Sequence, residues 1–91
     1  MITAIVLVEA DRDVFATLGP VLAEIEGVAE AYSVTGEWDF VAVVRVARHE
    51  LLSDVVSGTI GLLPGVVGTQ TMVAFESFSQ HDLDALFGGG A

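Results

Sequence analysis

The chain has no cysteine and no lysine, and its only strong cations are Arg12, Arg45 and Arg48. Without cysteine, disulfide staples and thiolate sites are excluded, as expected of a reducing compartment. Against the three arginines stand 13 carboxylates, for a net charge of −10. Any surface so composed repels a phosphate backbone, which argues against direct nucleic-acid binding. The opening MITAIVLVEA has no basic n-region, and Glu9 and Asp11 soon stop its apolar run. It reads as a strand rather than a signal peptide, and the expected location is the cytoplasm. No charge falls between Asp54 and Glu76, a length that would span a bilayer. Glycines, threonines, Pro64 and Gln70 dilute that stretch, and no lysine or arginine flanks it, so no membrane association is expected.

What is present is apolar: 53% of 91 residues. A chain this short is one domain and hides only about 60–65% of its unfolded surface, so part of the apolar surface is expected to meet another subunit. Shifting the sequence by 38 positions lays Ala4, Val6 and Val8 on Ala42, Val44 and Val46. It also lays Val14, Leu18, Leu22 and Ile25 on Leu52, Val56, Ile60 and Leu63, and Gly27-Val28 on Gly65-Val66. Each half reads as a strand, a helix, a Gly-Val stop and a second strand. Glycine suits those stops because the chain turns back there with positive φ.

Two βαβ units in tandem predict an α+β, ferredoxin-like βαββαβ fold: a four-stranded antiparallel sheet with both helices on one face. Strands are expected at Thr3 to Glu9, Ala29 to Thr35, Trp38 to Val46 and Val67 to Ser77, and helices at Asp13 to Glu26 and Glu50 to Leu63. Gly19-Pro20 predicts a kink or break in the first helix. The second carries Gly58 and Gly61 and must be held by packing. ITAIVLV and FVAVVRV are apolar on both faces, whereas a sheet with one wet face alternates. The free face is expected to be covered by a second copy, giving a homodimer with two sheets packed together, with the chain's own SQHDLDALF tail assisting; that tail alone is the rival occupant. The single domain is expected to span residues 1–78, followed by a 79–91 tail with a short helix capped by Ser79 and a disordered GGGA end.

The chemistry on offer is sparse. No serine stands in a GxSxG elbow, and no GxxxxGK[ST] or GxGxxG cradle is present. His49 reads as a solvated residue, and neither His49 nor His81 has a second ligand at metal-binding spacing, so no metal or cofactor is expected. Glu9, Asp11 and Asp13 fit the start of a helix better than a cation site. The segment TGEWDF, Thr35 to Phe40, reads first as a hairpin turn, with Gly36 at positive φ and Glu37 and Asp39 solvated. The other reading is a site: Asp39 beside exposed amides and the Trp38 wall suits a small zwitterion.

VTGEWDFVAVVRV resembles the Gly-acid-aromatic-Asp hairpin of the effector-binding domain of Lrp/AsnC (feast/famine) regulators. LLPGVVGTQTMVAF resembles that domain's second helix end and last strand. The likeness runs from Ile2 to about Ser77. It implies a dimeric α/β barrel formed through the sheet, dimers that can associate further into octamers, and no catalytic activity. The family joins this domain to an N-terminal helix-turn-helix. Here the first strand begins at Ile2, so the chain resembles the stand-alone members, sensors of amino acids or related metabolites that act through partners such as full-length regulators. It also implies that Thr35, Gly36, Glu37, Trp38 and Asp39, with Thr69 and Thr71, line the ligand site. Asp39 would meet the ammonium group and the threonines would offer hydroxyls. Two rival readings are a cofactor-free α+β barrel monooxygenase, which would need polar groups inside its cavity, and a purely structural partner of full-length regulators. An ACT domain would need a glycine between Glu9 and Asp13, and there is none.

Overall fold

The computed structural model describes residues 1–79; the expected tail helix lies outside them. Strands β1 (Ile2–Ala10), β2 (Val28–Ser33), β3 (Phe40–Val46) and β4 (Val66–Val73) form one antiparallel sheet in the order β2-β3-β1-β4. Helices α1 (Phe15–Glu24) and α2 (His49–Val56) connect them, with 3-10 turns at Arg12–Val14 and Ile60–Leu62. This is the βαββαβ order that the repeat predicts.

The alternation of side chains along a strand decides where the core forms. Ala4, Val6, Val8 and Ala10 of β1 pack beside Phe40, Ala42, Val44 and Val46 of β3 on the helix-covered face, all buried. Leu18 and Leu22 of α1, Leu52 and Val55 of α2, and Ile60 complete this cluster. Phe40 also meets Phe15 edge-to-face, with ring centroids 6.1 Å apart.

The helices depart from expectation in opposite ways. α1 runs through Gly19-Pro20 without a break. Proline removes the N–H that would reach the Ala16 carbonyl, but both residues are exposed, so water satisfies it, while Leu18 and Leu22 one turn apart anchor the helix. The second helix, expected to continue to Leu63, ends at Val56 and resumes as the short 3-10 turn. Between them, the Gly58 N–H bonds the Ser53 carbonyl at 3.2 Å and the Thr59 hydroxyl bonds the Asp54 carbonyl at 3.2 Å, which takes the chain out of α geometry. The strand bounds also differ from expectation: β3 starts later, at Phe40, and β4 stops earlier, at Val73, while β1 runs one residue further at each end.

Each stop glycine lies under the other unit's helical segment. Gly27 has φ 98°, and a Cβ there would sit 2.8 Å from Val55 of the second unit. Gly65 has φ 89°, and a Cβ there would sit 2.6 Å from both methyls of Val14 of the first unit. The two carbonyls are used as well: Arg45 N–H donates to Gly27 and Asp11 N–H to Gly65, both at 2.8 Å. The repeat thus interlocks rather than merely sitting side by side.

The other face of the sheet carries Ile5 and Leu7 between Val43 and Val41 on one side and Met72 and Gln70 on the other. No helix of the described residues lies on it, since both helices bury their apolar residues in the cluster on the opposite face. At one edge sit Tyr32, Glu30 and Arg45. The Tyr32 hydroxyl donates to Glu30 Oε2 at 2.7 Å, and Arg45 lies 3.8 Å from Glu30 Oε1. The hydrogen bond to Glu30, with slight desolvation and repulsion from its charge, raises the Tyr32 pKa above the ordinary phenol value, against the opposing pull of Arg45. Since the folded pKa lies above the unfolded one, the contribution to stability is full below the unfolded phenol range and is lost as pH rises through the folded pKa. Tyr32 is the only tyrosine, so ultraviolet titration reads it alone. The native midpoint is expected above that of the urea-unfolded chain, and Glu30→Gln is expected to bring it down; an unchanged midpoint would show that Glu30 does not hold the phenol.

Candidate functional site

The TGEWDF segment links β2 to β3. Gly36 has φ 108° with open space where a side chain would be, so the turn needs glycine for its backbone and leaves its surface accessible. Thr35 and Glu37 are exposed, and Trp38 and Asp39 are partly buried. The turn closes through Val34 N–H on the Asp39 carbonyl at 3.0 Å, and Asp39 N–H donates to the Val8 carbonyl at 2.9 Å.

Asp39 does more than face solvent. Its Oδ2 accepts the Ala10 N–H at 2.8 Å, at the point where the β1–β4 register shifts between Glu9 and Ala10. A carboxylate has several acceptor positions, so this bond fixes the group without exhausting it. Asp39→Ala orphans the N–H of the buried Ala10 and is expected to cost about 1–3 kcal/mol. Asp39→Asn keeps an acceptor and removes the charge, so it is expected to hold most of that stability. Equal losses in urea unfolding for both variants would show that the charge, not the acceptor, matters here.

Thr69 and Thr71 lie at the same end of the sheet but not against the loop. They pair with Val8 and Val6 on the far side of β1, on an exposed edge strand. Two strand spacings, about 9–10 Å, separate them from β3. The five loop residues therefore form one surface of a single chain and the two threonines another. Glu9, the last residue of the first strand expected from the sequence, lies in β1 opposite Gly68, and its Oε1 would be 3.5 Å from a Cβ at that glycine. The apolar run of β1 ends at Val8, and strand period 2 makes Glu9 the next residue on the free face after Ile5 and Leu7.

A cleft of about 560 Å³ opens at the opposite end of the sheet, lined by Ile25, Gly27, Arg45, Val46, Leu51 and Val55 among others. No sequence motif marks it, because it exists only where the end of α1 meets α2. Among the described residues no group of three His, Cys, Asp or Glu side chains is placed to hold a metal ion. No described helix is long and apolar enough to cross a membrane.

The four-stranded antiparallel sheet with its two helices agrees with comparison to known proteins. The family profile of the Lrp/AsnC ligand binding domain matches residues 3–83. The chain belongs to the Lrp/AsnC ligand-binding domain family. The crystal structure of TTHA0845 from Thermus thermophilus superposes with a TM-score of 0.82 at 45% identity, covering 88% of this chain and all of that one. An uncharacterized HTH-type transcriptional regulator of Pyrococcus furiosus is 37% identical over 82 residues, 87% of this chain and 55% of the regulator. The leucine-responsive regulatory protein of Haemophilus influenzae is 31% identical over 80 residues, 88% of this chain and 48% of that protein. The chain thus spans about half the length of the curated relatives it matches. Those relatives carry the names of transcriptional regulators.

Proposed function

We propose that this Lrp/AsnC domain is a small-molecule sensor and oligomerisation module. It binds an amino acid or related metabolite and passes the signal to partner proteins such as full-length regulators of its family. The observation that carries the reading is the TGEWDF turn. Gly36 leaves its backbone open, Trp38 supplies an aromatic wall, and Asp39 is held in place by Ala10 while keeping acceptor capacity for an ammonium group. Leucine responsiveness, named for the Haemophilus influenzae relative, favours an amino-acid ligand here too.

The free apolar face of the sheet supports a homodimer with two sheets packed face to face, and dimers that associate further into octamers would bring Thr69 and Thr71 of one copy to the loop of another. A ligand shared in that way couples binding to assembly. The buried side chains of the core are all apolar, which disfavours the monooxygenase reading. A net charge of −10 favours action through protein partners over direct contact with nucleic acid.

A thermal-shift screen of the common amino acids tests the proposal. One chemical class is expected to raise the melting temperature by about 10 °C or more at a hundredfold excess over its Kd. No shift with any of them, beside a well-defined oligomer, would overturn the amino-acid reading and favour the structural-partner reading or a metabolite outside the set.

A further inference from the structure

The edge strand β4 lacks what keeps a sheet edge unpaired. No charged residue lies between Asp54 and Glu76, and Val66–Val73 holds no proline. Its one register shift, opposite Glu9 and Ala10, falls at its start and leaves the row from Gly68 to Val73 regular. The other edge, β2, is defended: Glu30 pairs with Arg45, and the register shifts between Val28 and Glu30. A regular, uncharged edge is a template for another strand.

The hydrogen bonds of β1 show which groups of β4 stand open. Asp39 N–H reaches the Val8 carbonyl and Ala10 N–H reaches Asp39 Oδ2, so the even-numbered residues of β1 turn their backbone toward β3. Ala74 N–H reaches the Thr3 carbonyl at 2.9 Å, so the odd-numbered ones turn toward β4. Through the register, Gly68, Gln70 and Met72 direct their N–H and C=O groups to Glu9, Leu7 and Ile5. Thr69, Thr71 and Val73 aim theirs away from the sheet, where no described strand lies.

The sequence along that row is self-complementary. Val67, Thr69, Gln70, Thr71 and Val73 read alike in both directions about Gln70. A second β4 laid antiparallel about a two-fold axis at Gln70 sets Thr69 against Thr71, Val67 against Val73 and Gly68 against Met72. Thr69 and Thr71 then exchange both backbone bonds with the second copy, and facing threonines stabilise an antiparallel pair. Slipping one strand by one residue would set open groups against groups already bonded to β1. Slipping it by two would lose the match of like with like.

We propose that β4 is a homotypic seam, pairing antiparallel with β4 of a second copy about Gln70 so that two sheets join edge to edge. This surface is distinct from the free face of the proposed dimer. It takes the backbone of Thr69 and Thr71 and leaves their side chains on the helix side of the sheet. A lone strand pair buries less than about 1,200 Å², so the seam is the weaker contact and joins dimers already formed. Two different two-fold contacts on one chain propagate into a closed ring or an open fibre.

The absence of cysteine makes the test direct. Gln70 is exposed and would face its own copy across the axis at a Cα separation of about 4.5 Å, within disulfide reach. Val73, also on the exposed edge, would lie about 20 Å from its own copy. At high protein concentration Gln70→Cys is expected to form the homodimeric disulfide at least about tenfold faster than Val73→Cys, and to do so equally in the Val43→Glu background, where the free face is blocked. Thr71→Pro removes an N–H that the sheet does not use, a change tolerated on edge strands. Thr69→Lys/Thr71→Lys sets like charges opposite one another without altering the backbone. Each is expected to slow the Gln70→Cys linkage at least about tenfold, with the circular dichroism unchanged. Gln70→Cys that links no faster than Val73→Cys would overturn the seam, as would linkage that the lysine pair leaves untouched. Linkage lost in the Val43→Glu background would assign the contact to the free face, overturning the seam while the face-to-face dimer stands.

Discussion

Gly65→Ala is expected to destabilise the fold by about 2–5 kcal/mol. Two costs add at this position. The backbone φ of 89° lies in the left-handed region, where a Cβ costs about 1–2 kcal/mol. The new methyl would also stand 2.6 Å from both Val14 methyls, and forcing an extra carbon into packed surroundings costs about 1–3 kcal/mol. Val14 cannot swing clear, because a β-branched side chain has few rotamers and both of its methyls are already in the way. Gly27→Ala is expected to behave alike, since its Cβ would meet Val55 at 2.8 Å and Val46 at 3.2 Å with φ 98°. Urea unfolding at a fixed protein concentration measures this as a lower midpoint with an unchanged slope. Gly36→Ala supplies the contrast: it has the same backbone strain but no neighbour within 4 Å, so it is expected to cost only the conformational part. Losses equal at all three glycines would show that the interlock between the two units contributes nothing.

Val43→Glu is expected to abolish the proposed face-to-face dimer while leaving the fold intact. Val43 pairs with Ile5 and Glu30 on the free face, between the buried Ala42 and Val44, whose side chains point to the helices. A carboxylate there is hydrated in the monomer, but a two-fold contact would bury one from each copy. Stripping such charges of water without partners costs several kcal/mol, so the dissociation constant is expected to rise by at least about a thousandfold. Light scattering across a dilution series reads the mass, and circular dichroism reads the retained fold. Val44→Glu should instead unfold the chain. A Val43→Glu dimer of unchanged affinity would show that the partner sits elsewhere than on this face.

Much of the fold is legible in the sequence because it is written twice. The 38-residue repeat places both strand pairs and both stop glycines, and each of those glycines has the positive φ that its position predicts. The continuous apolarity of FVAVVRV likewise anticipates a sheet with two apolar faces. What escapes depends on contacts between segments distant in sequence. Propensity weighs Gly19-Pro20 heavily, but it does not see that Ala16 and Pro20 face water, so α1 survives where a break is expected. In the second unit Gly58 and Gly61 register only as weak helix formers. The break at Ser57 to Thr59 takes its form from specific bonds to Ser53 and Asp54. The TGEWDF turn is visible from its residue types, while the bond from Ala10 N–H to Asp39, 29 positions apart, is not. Glu9 reads as the end of the first strand, and the strand runs one residue past it; what the sequence does not show is that Glu9 stands opposite Gly68.

The central claim is that the turn around Asp39 is a ligand site, and Trp38 lies within it as the chain's only tryptophan. The most direct test is a Trp38 fluorescence titration with amino acids, run in parallel on the unmodified protein and on Asp39→Asn. A saturable change in emission is expected with one class of amino acid. Asp39→Asn is expected to weaken that binding at least about tenfold, as the loss of a charge-assisted bond requires, while its urea midpoint stays close to that of the unmodified protein. Saturable binding of equal strength in both proteins would contradict the assignment of the ammonium group to Asp39, and the absence of any saturable change would contradict the site.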